Sequence, residues 1–244
     1  MESKGTIAEV FFRLRPSPDG YPVPPSRLIY QVVGHGSQRD YFYAGRTVFL
    51  DLVEQLNSVG AVVENFGSIL DFGCGCGRLI RHWPSLTNAK LCGCDYNREL
   101  VKWCAENLKC AEFSTNDLKP GLPYSGGTID FLYAISVFTH LSPSIQKDWF
   151  VEIRRVLSDK GIVLFTTHGH KFKGHLSGEL FEQYNKGNCV ILEKGLEGGN
   201  EYGSFFSRAY VESNVLPLGF RLIKHVPGRD NEDLLQDIYI LGKE

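Results

Sequence analysis

Asp71 is followed by glycine at positions 73, 75 and 77, in the run Ser68-Ile-Leu-Asp-Phe-Gly-Cys-Gly-Cys-Gly. Glycine at every second position leaves the loop without Cβ atoms, so a ligand can lie directly on the backbone. The apolar residues before it read as a short strand. A strand that opens into such a turn forms the nucleotide-binding edge of an open α/β sheet. The acid narrows the choice of ligand. A dinucleotide loop needs the spacing G-x-G-x-x-G, where bare amides meet a pyrophosphate. Counted from Gly73 or Gly75, the third glycine would fall at Arg78 or Ile80. Asp71 would also repel a pyrophosphate, whereas it would attract a cation. A second set of residues is basic. His140, His168, His170 and His175 carry imidazoles, which exchange protons near neutral pH. His168-Gly169-His170 follows an apolar strand and therefore falls at the same sheet edge as the glycine loop. Proton transfer is one reading of this set, and an H-x-H…H metal site is the other.

The pattern Asp71-x-Gly73-x-Gly75-x-Gly77 resembles the first motif of the class I S-adenosylmethionine-dependent methyltransferases. That cofactor carries a sulfonium and an ammonium and no phosphate. The resemblance covers about residues 66–168 well and the closing strands loosely. It implies an α/β, Rossmann-like class I methyltransferase fold, with a seven-stranded, mostly parallel sheet and a terminal antiparallel hairpin. It also implies S-adenosyl-L-methionine as cofactor, cradled by Asp71, Gly73, Cys74, Gly75 and Gly77. Asp95 ends the next strand, 24 residues after Asp71, and is then the ribose ligand. A carboxylate suits two hydroxyl donors. By the same resemblance Tyr96 stacks on the adenine, Asp117 accepts from its amino group, and Leu118 presents backbone to the ring. Ser136 lies in the stretch that runs under the methionine moiety. His168 and His140 are then the candidate catalytic bases, needed if the acceptor is a hydroxyl, an ammonium or a carbon acid.

These residues need an alternating scaffold. Strands are predicted at Ile69–Phe72, Lys90–Asp95, Glu112–Thr115, Thr128–Ala134 and Ile162–Thr167, with a closing pair at Phe220–Val226 and Asp237–Leu241. Helices are predicted over 45–59, from Gly77 to Trp83 where Pro84 stops it, after the cap Asn97, from Ser142-Pro143 to Leu157, and over 207–216. Such alternation gives a parallel sheet. Prolines at 16, 18, 22, 24 and 25 make an extended lead-in. Residues 1–60 are thus expected to be an arm and helix covering the active site. Residues 61–244 are the expected catalytic domain, with an irregular lid insertion at about 169–204.

The whole chain bounds the partners. Its 244 residues carry a net charge of −2, and no stretch is dense in Lys or Arg, so nucleic acid is not expected as a partner. Residues 1–10 have no apolar signal region and no run is long enough to span a bilayer, which implies a cytoplasmic chain with no membrane partner. The oligomeric state is not legible. Cys74/Cys76 and Cys92/Cys94 form two C-x-C pairs, not the C-x2-C of most zinc sites, and are read as free, buried fillers; no metal site is assigned. The slot after the fourth strand, Ser136-Val-Phe-Thr139, lacks the Asn-Pro-Pro-Tyr pattern of enzymes that methylate base or glutamine amino groups. The reading is a transferase acting on a small molecule, through a hydroxyl of a glycan, lipid or secondary metabolite. An N-methyltransferase, a non-catalytic S-adenosylmethionine-binding sensor or partner subunit, and a dehydrogenase are the alternatives.

Overall fold

The computed structural model describes residues 17–193, 195–228 and 235–244. Five strands run parallel: β1 (Ser68–Phe72), β2 (Lys90–Asp95), β3 (Glu112–Thr115), β4 (Ile129–Ala134) and β5 (Leu157–Thr167). With β8 (Phe220–Val226) and β9 (Asp237–Lys243) they form one seven-stranded sheet in the order β3-β2-β1-β4-β5-β9-β8. β9 is antiparallel to both of its neighbours. The chain moves outward from β1 to β3 and then returns to place β4 on the other side of β1. That reversal opens a crevice at the carboxyl ends of β1 and β4, where α/β sheets bind their ligands.

Successive residues of a strand face opposite sides of the sheet, and both sides are buried. Leu132 and Ala134 of β4, with Tyr239 and Leu241 of β9, pack with Trp149, Phe150 and Ile153 of the helix Pro143–Val156. Phe131 and Tyr133, with Ile238 and Ile240, join Val48, Phe49 and Leu52 on the opposite face. These last residues lie on α2 (Gln38–Ser58), which follows α1 (Ser26–Val33). The remaining helices are α3 (Arg98–Asn107), α4 (Pro143–Val156), α5 (Gly178–Asn185) and α6 (Arg208–Asn214). Arg81, almost wholly buried, binds Asp19 through Nε at 2.5 Å and the Tyr21 carbonyl at 3.0 Å, which fastens the lead-in to the domain. Among the described residues no helix is long and apolar enough to cross a membrane.

Four local expectations are corrected. The helix expected from Gly77 to Trp83 is a set of turns followed by a 3-10 segment, Ile80–Ser85, that runs through Pro84. Gly73, Gly75 and Gly77 all have positive φ, so no α-helix can begin before residue 78. α2 starts seven residues before the predicted Gly45, because Ser37 caps it by accepting from the Asp40 amide. β5 begins at Leu157, five residues early, pairing Leu157 with Ile129 before a shift in register. The irregular stretch 169–204 contains α5 and a second sheet. That sheet is an antiparallel hairpin of β6 (Val190–Glu193) and β7 (Tyr202–Phe205). The loop expected between β8 and β9, Pro227 to Asp233, lies partly outside the described residues.

Candidate functional site

The crevice is a cleft that is open at its mouth. Its floor is the loop after β1. Gly73 has φ 80°, and a Cβ there would lie 2.3 Å from a Val137 methyl carbon. Gly75 has φ 54°, and a Cβ there would lie 3.0 Å from a Val32 methyl carbon of α1. The third glycine does a different job. A Cβ on Gly77 would meet Leu108 Cδ1 at 2.2 Å, so Gly77 lets the loop close onto the chain after α3 and does not line the cleft. Tyr41 of α2 donates to the Cys76 carbonyl at 2.8 Å and clamps the loop from behind.

Two acids stand at the strand ends. Asp71 is buried, and desolvation pushes its carboxyl up to about 7; the Tyr133 hydroxyl opposes the shift, Asp95 adds to it and Arg78 opposes it. Asp71 is therefore only partly ionised at neutral pH. Asp95 is also buried, and desolvation raises it despite amides that favour the anion. Its Oδ2 accepts from Gly75 N at 2.9 Å and its Oδ1 from Asn97 N at 2.8 Å. The carboxylate is thus fixed by the loop of β1 and the cap of α3, with lone pairs to spare for hydroxyl donors.

The wall beyond Asp95 holds Tyr96, Asn116, Asp117, Leu118 and Trp149. Asn116 was passed over in favour of its exposed neighbour Asp117. It is the buried one, and its Oδ1 has no partner while its Nδ2 donates to the Asp117 carbonyl at 2.8 Å. A buried acceptor without a donor is costly, so the cleft wall offers an unfilled acceptor where a ligand amine can satisfy it. The opposite wall is Ile135, Ser136 and Val137, followed by His140 and Leu141.

His140 lines the cleft, and burial holds its imidazole below the usual histidine range. Its Nδ1 lies 2.8 Å from the Tyr202 carbonyl. A carbonyl only accepts, so Nδ1 carries the proton and Nε2 the lone pair. The ring is therefore a neutral base at pH 7. His168 does not line the cleft. Its ring sits 6.3 Å from that of His140, between Phe172 and Phe205, and desolvation lowers it to about 4. Among the described residues no group of three His, Cys, Asp or Glu is placed to hold a metal ion.

A cover closes part of the mouth. The β6–β7 hairpin reaches across with residues 195–201. The Gly198 amide donates to the His140 carbonyl at 2.8 Å, and Tyr96 donates to the Gly198 carbonyl at 2.9 Å. Asn200 Nδ2 donates to the Gln31 carbonyl on α1 at 2.8 Å. Gln31 in turn accepts from Asn97 Nδ2 at 2.8 Å. Sequence reasoning missed Gln31, Gly198 and Asn200 as lining residues, since nothing local marks residues 169 positions apart as neighbours.

The donor set fits S-adenosylmethionine. It offers two buried acids, an unfilled amide acceptor and a glycine cradle that any Cβ would fill. Residues 69–161 match the family model of the methyltransferase domain. Solved structures share the fold. An S-adenosylmethionine-dependent methyltransferase of Methanosarcina mazei superposes with a TM-score of 0.53 at 19% identity, over 74% of this chain and 93% of that one. A protein of Pyrococcus horikoshii gives 0.61 at 18%, over 88% and 98%. An amino pentose methyltransferase of Micromonospora echinaspora, solved with S-adenosylmethionine bound, gives 0.58 at 12%, over 83% and 94%. Residues 69–161 are thus a methyltransferase domain, and the sheet order around the cleft is the fold that these S-adenosylmethionine-dependent methyltransferases share.

Proposed function

We propose that the chain methylates a hydroxyl of a small molecule, such as a glycan, lipid or secondary metabolite, with His140 as general base. The tautomer of His140 carries this reading. Its Nδ1–H is committed to the Tyr202 carbonyl, and burial keeps the ring neutral, so Nε2 is ready to take a proton at pH 7. The hairpin cover supports a small acceptor, because it closes part of the cleft mouth. The net charge of −2 also disfavours a polyanionic acceptor.

In this reading Asp95 accepts from the ribose hydroxyls and Tyr96 flanks the adenine. Asn116, beside Asp117 and Leu118, accepts from the adenine amine. Asp71, Gly73, Cys74 and Gly75 surround the amino acid end, and Ser136 lies beside the methyl-bearing sulfonium. Gly77 shapes the loop without contact. When bound, the cofactor supplies a methyl group on a sulfonium, already activated. The protein then aligns the acceptor, excludes water and moves one proton. Alignment alone is worth roughly 7–11 kcal/mol in favourable cases. His168 backs His140 as an aromatic neighbour and is kept as a second, lesser candidate base.

Two experiments test the reading. Calorimetric titration of S-adenosylmethionine into the wild type and Asp95→Ala should show a loss of about tenfold or more in the variant, the value of charge-assisted hydrogen bonds. Methyl transfer from labelled cofactor to a panel of hydroxylated and amino compounds should then favour the hydroxylated set. Transfer confined to amines, or tight cofactor binding with no turnover on any acceptor, would favour the N-methyltransferase or the sensor.

A further inference from the structure

Ser136 is the one non-glycine residue with positive φ among those described, at 58°. Such a conformation costs free energy in any residue with a Cβ and persists only where its surroundings hold it. The surroundings here are specific. Ser136 N donates to Thr166 Oγ1 at 2.8 Å, and Ser136 Oγ donates to Gln236 Oε1 at 3.0 Å. Thr166 Oγ1 then donates to the same Gln236 oxygen at 2.5 Å. The three bonds make a closed ring whose donors and acceptors balance: one hydroxyl both accepts and donates, and one carbonyl oxygen fills both lone pairs. Thr166 is fully buried and Gln236 nearly so.

The ring has a consequence for the cleft. β4 leaves the sheet after Ala134, which pairs with Phe165, while β5 continues through Thr166 and Thr167 against β9. An extended chain turns alternate side chains away. Yet Ile135, Ser136 and Val137 all line the cleft, three in a row. The left-handed turn at Ser136 makes that possible, and it also seats Val137 against the bare Cα of Gly73. We propose that Thr166 and Gln236, neither of which lines the cleft, are positioning residues that lock this turn where it faces the methyl-bearing sulfonium. The assignment rests on the cofactor pose of the preceding subsection.

The test is separate titration of S-adenosylmethionine and S-adenosylhomocysteine into the wild type, Thr166→Val, Thr166→Ser and Gln236→Met. The two ligands differ at the sulfur alone. Thr166→Val keeps the shape and removes both bonds of the hydroxyl; Thr166→Ser keeps the hydroxyl. Thr166→Val and Gln236→Met should weaken S-adenosylmethionine by about tenfold and S-adenosylhomocysteine by much less, as expected for a lost buried hydrogen bond acting at one end of the ligand. Thr166→Ser should restore the wild-type ratio. Equal weakening of both ligands, an unchanged ratio or no rescue by serine overturns the proposal and leaves the pose intact. If Thr166→Val fails to fold, Gln236→Met carries the same comparison. A wild type that binds neither ligand overturns the pose, and the proposal with it.

Discussion

The bed of the cleft and its cover are built on different principles. The bed joins the loop of β1 to the ends of β2 and β4 through buried contacts: amides on Asp95, Tyr41 on the Cys76 carbonyl, Val137 on Gly73. Each residue is placed by the strand that precedes it. The cover spans three distant segments through a few hydrogen bonds, and Tyr96, Asn200 and Gln31 are all at least partly open to solvent. Buried bonds are costly to break and exposed ones are cheap. The bed is therefore the part that keeps its shape between turnovers, and the cover is the part able to open.

The largest effect tests the junction of the two. His140→Gln should lower turnover by about 10²- to 10⁴-fold, the usual worth of a general base, while cofactor affinity holds. Steady-state kinetics with parallel titration checks this; equal loss in both would make His140 part of the bed alone. Next comes the bed itself. Gly73→Ala adds strain at φ 80° and a clash with Val137, and should weaken the cofactor by roughly 10- to 100-fold. The same change at Gly178, exposed at the start of α5 with φ 55° and open space around it, should leave binding untouched.

A third prediction uses charge. The ligand's cationic end selects ionised Asp71, whose carboxyl titrates at about 7. Affinity should therefore rise about eightfold from pH 6 to 7.5, following the ionised fraction, and Asp71→Asn should flatten the curve. The sign reverses for the free chain. Its folded carboxyl keeps a proton that the unfolded one sheds above its ordinary value of 3.8, so stability without ligand falls as pH rises between about 4 and 7. Thermal melting across that window, with and without cofactor, reads both trends. The smallest effect belongs to the cover. Asn200→Ala and Tyr96→Phe should each speed ligand release only about two- to threefold, the value of one exposed neutral hydrogen bond.

The bed was legible in the sequence for the reason it is rigid. An apolar strand, an acid and spaced glycines are neighbours along the chain, and one strand repeat places them together. The parallel run of the first five strands followed from the alternation of strand and helix; their order in the sheet did not. The glycines misled at one point: their positive φ values forbid the helix that the spacing suggested after Gly77. The cover was illegible because its partners lie far apart and its hairpin has a polar, glycine-rich tip. Asn116 and Gln236 escaped for a related reason. An amide in a turn looks the same whether it faces water or completes a buried set of bonds, and the tautomer of His140 depends on a carbonyl 62 residues away.

Sulfur lines the back of the bed. All seven cysteines are free, and Cys74, Cys76 and Cys94 are buried at the loop. The Cys104 contact and desolvation raise Cys74 well above the ordinary thiol range, desolvation and nearby acids do the same to Cys94, and burial takes Cys76 to about 12. Electrophiles and oxidants attack thiolates, so these sulfurs are inert while the loop stays shut. Cys74 borders the cleft, however. Its rate of alkylation thus becomes a clock for breathing of the pocket, slow in the closed protein and slower still with a ligand in place.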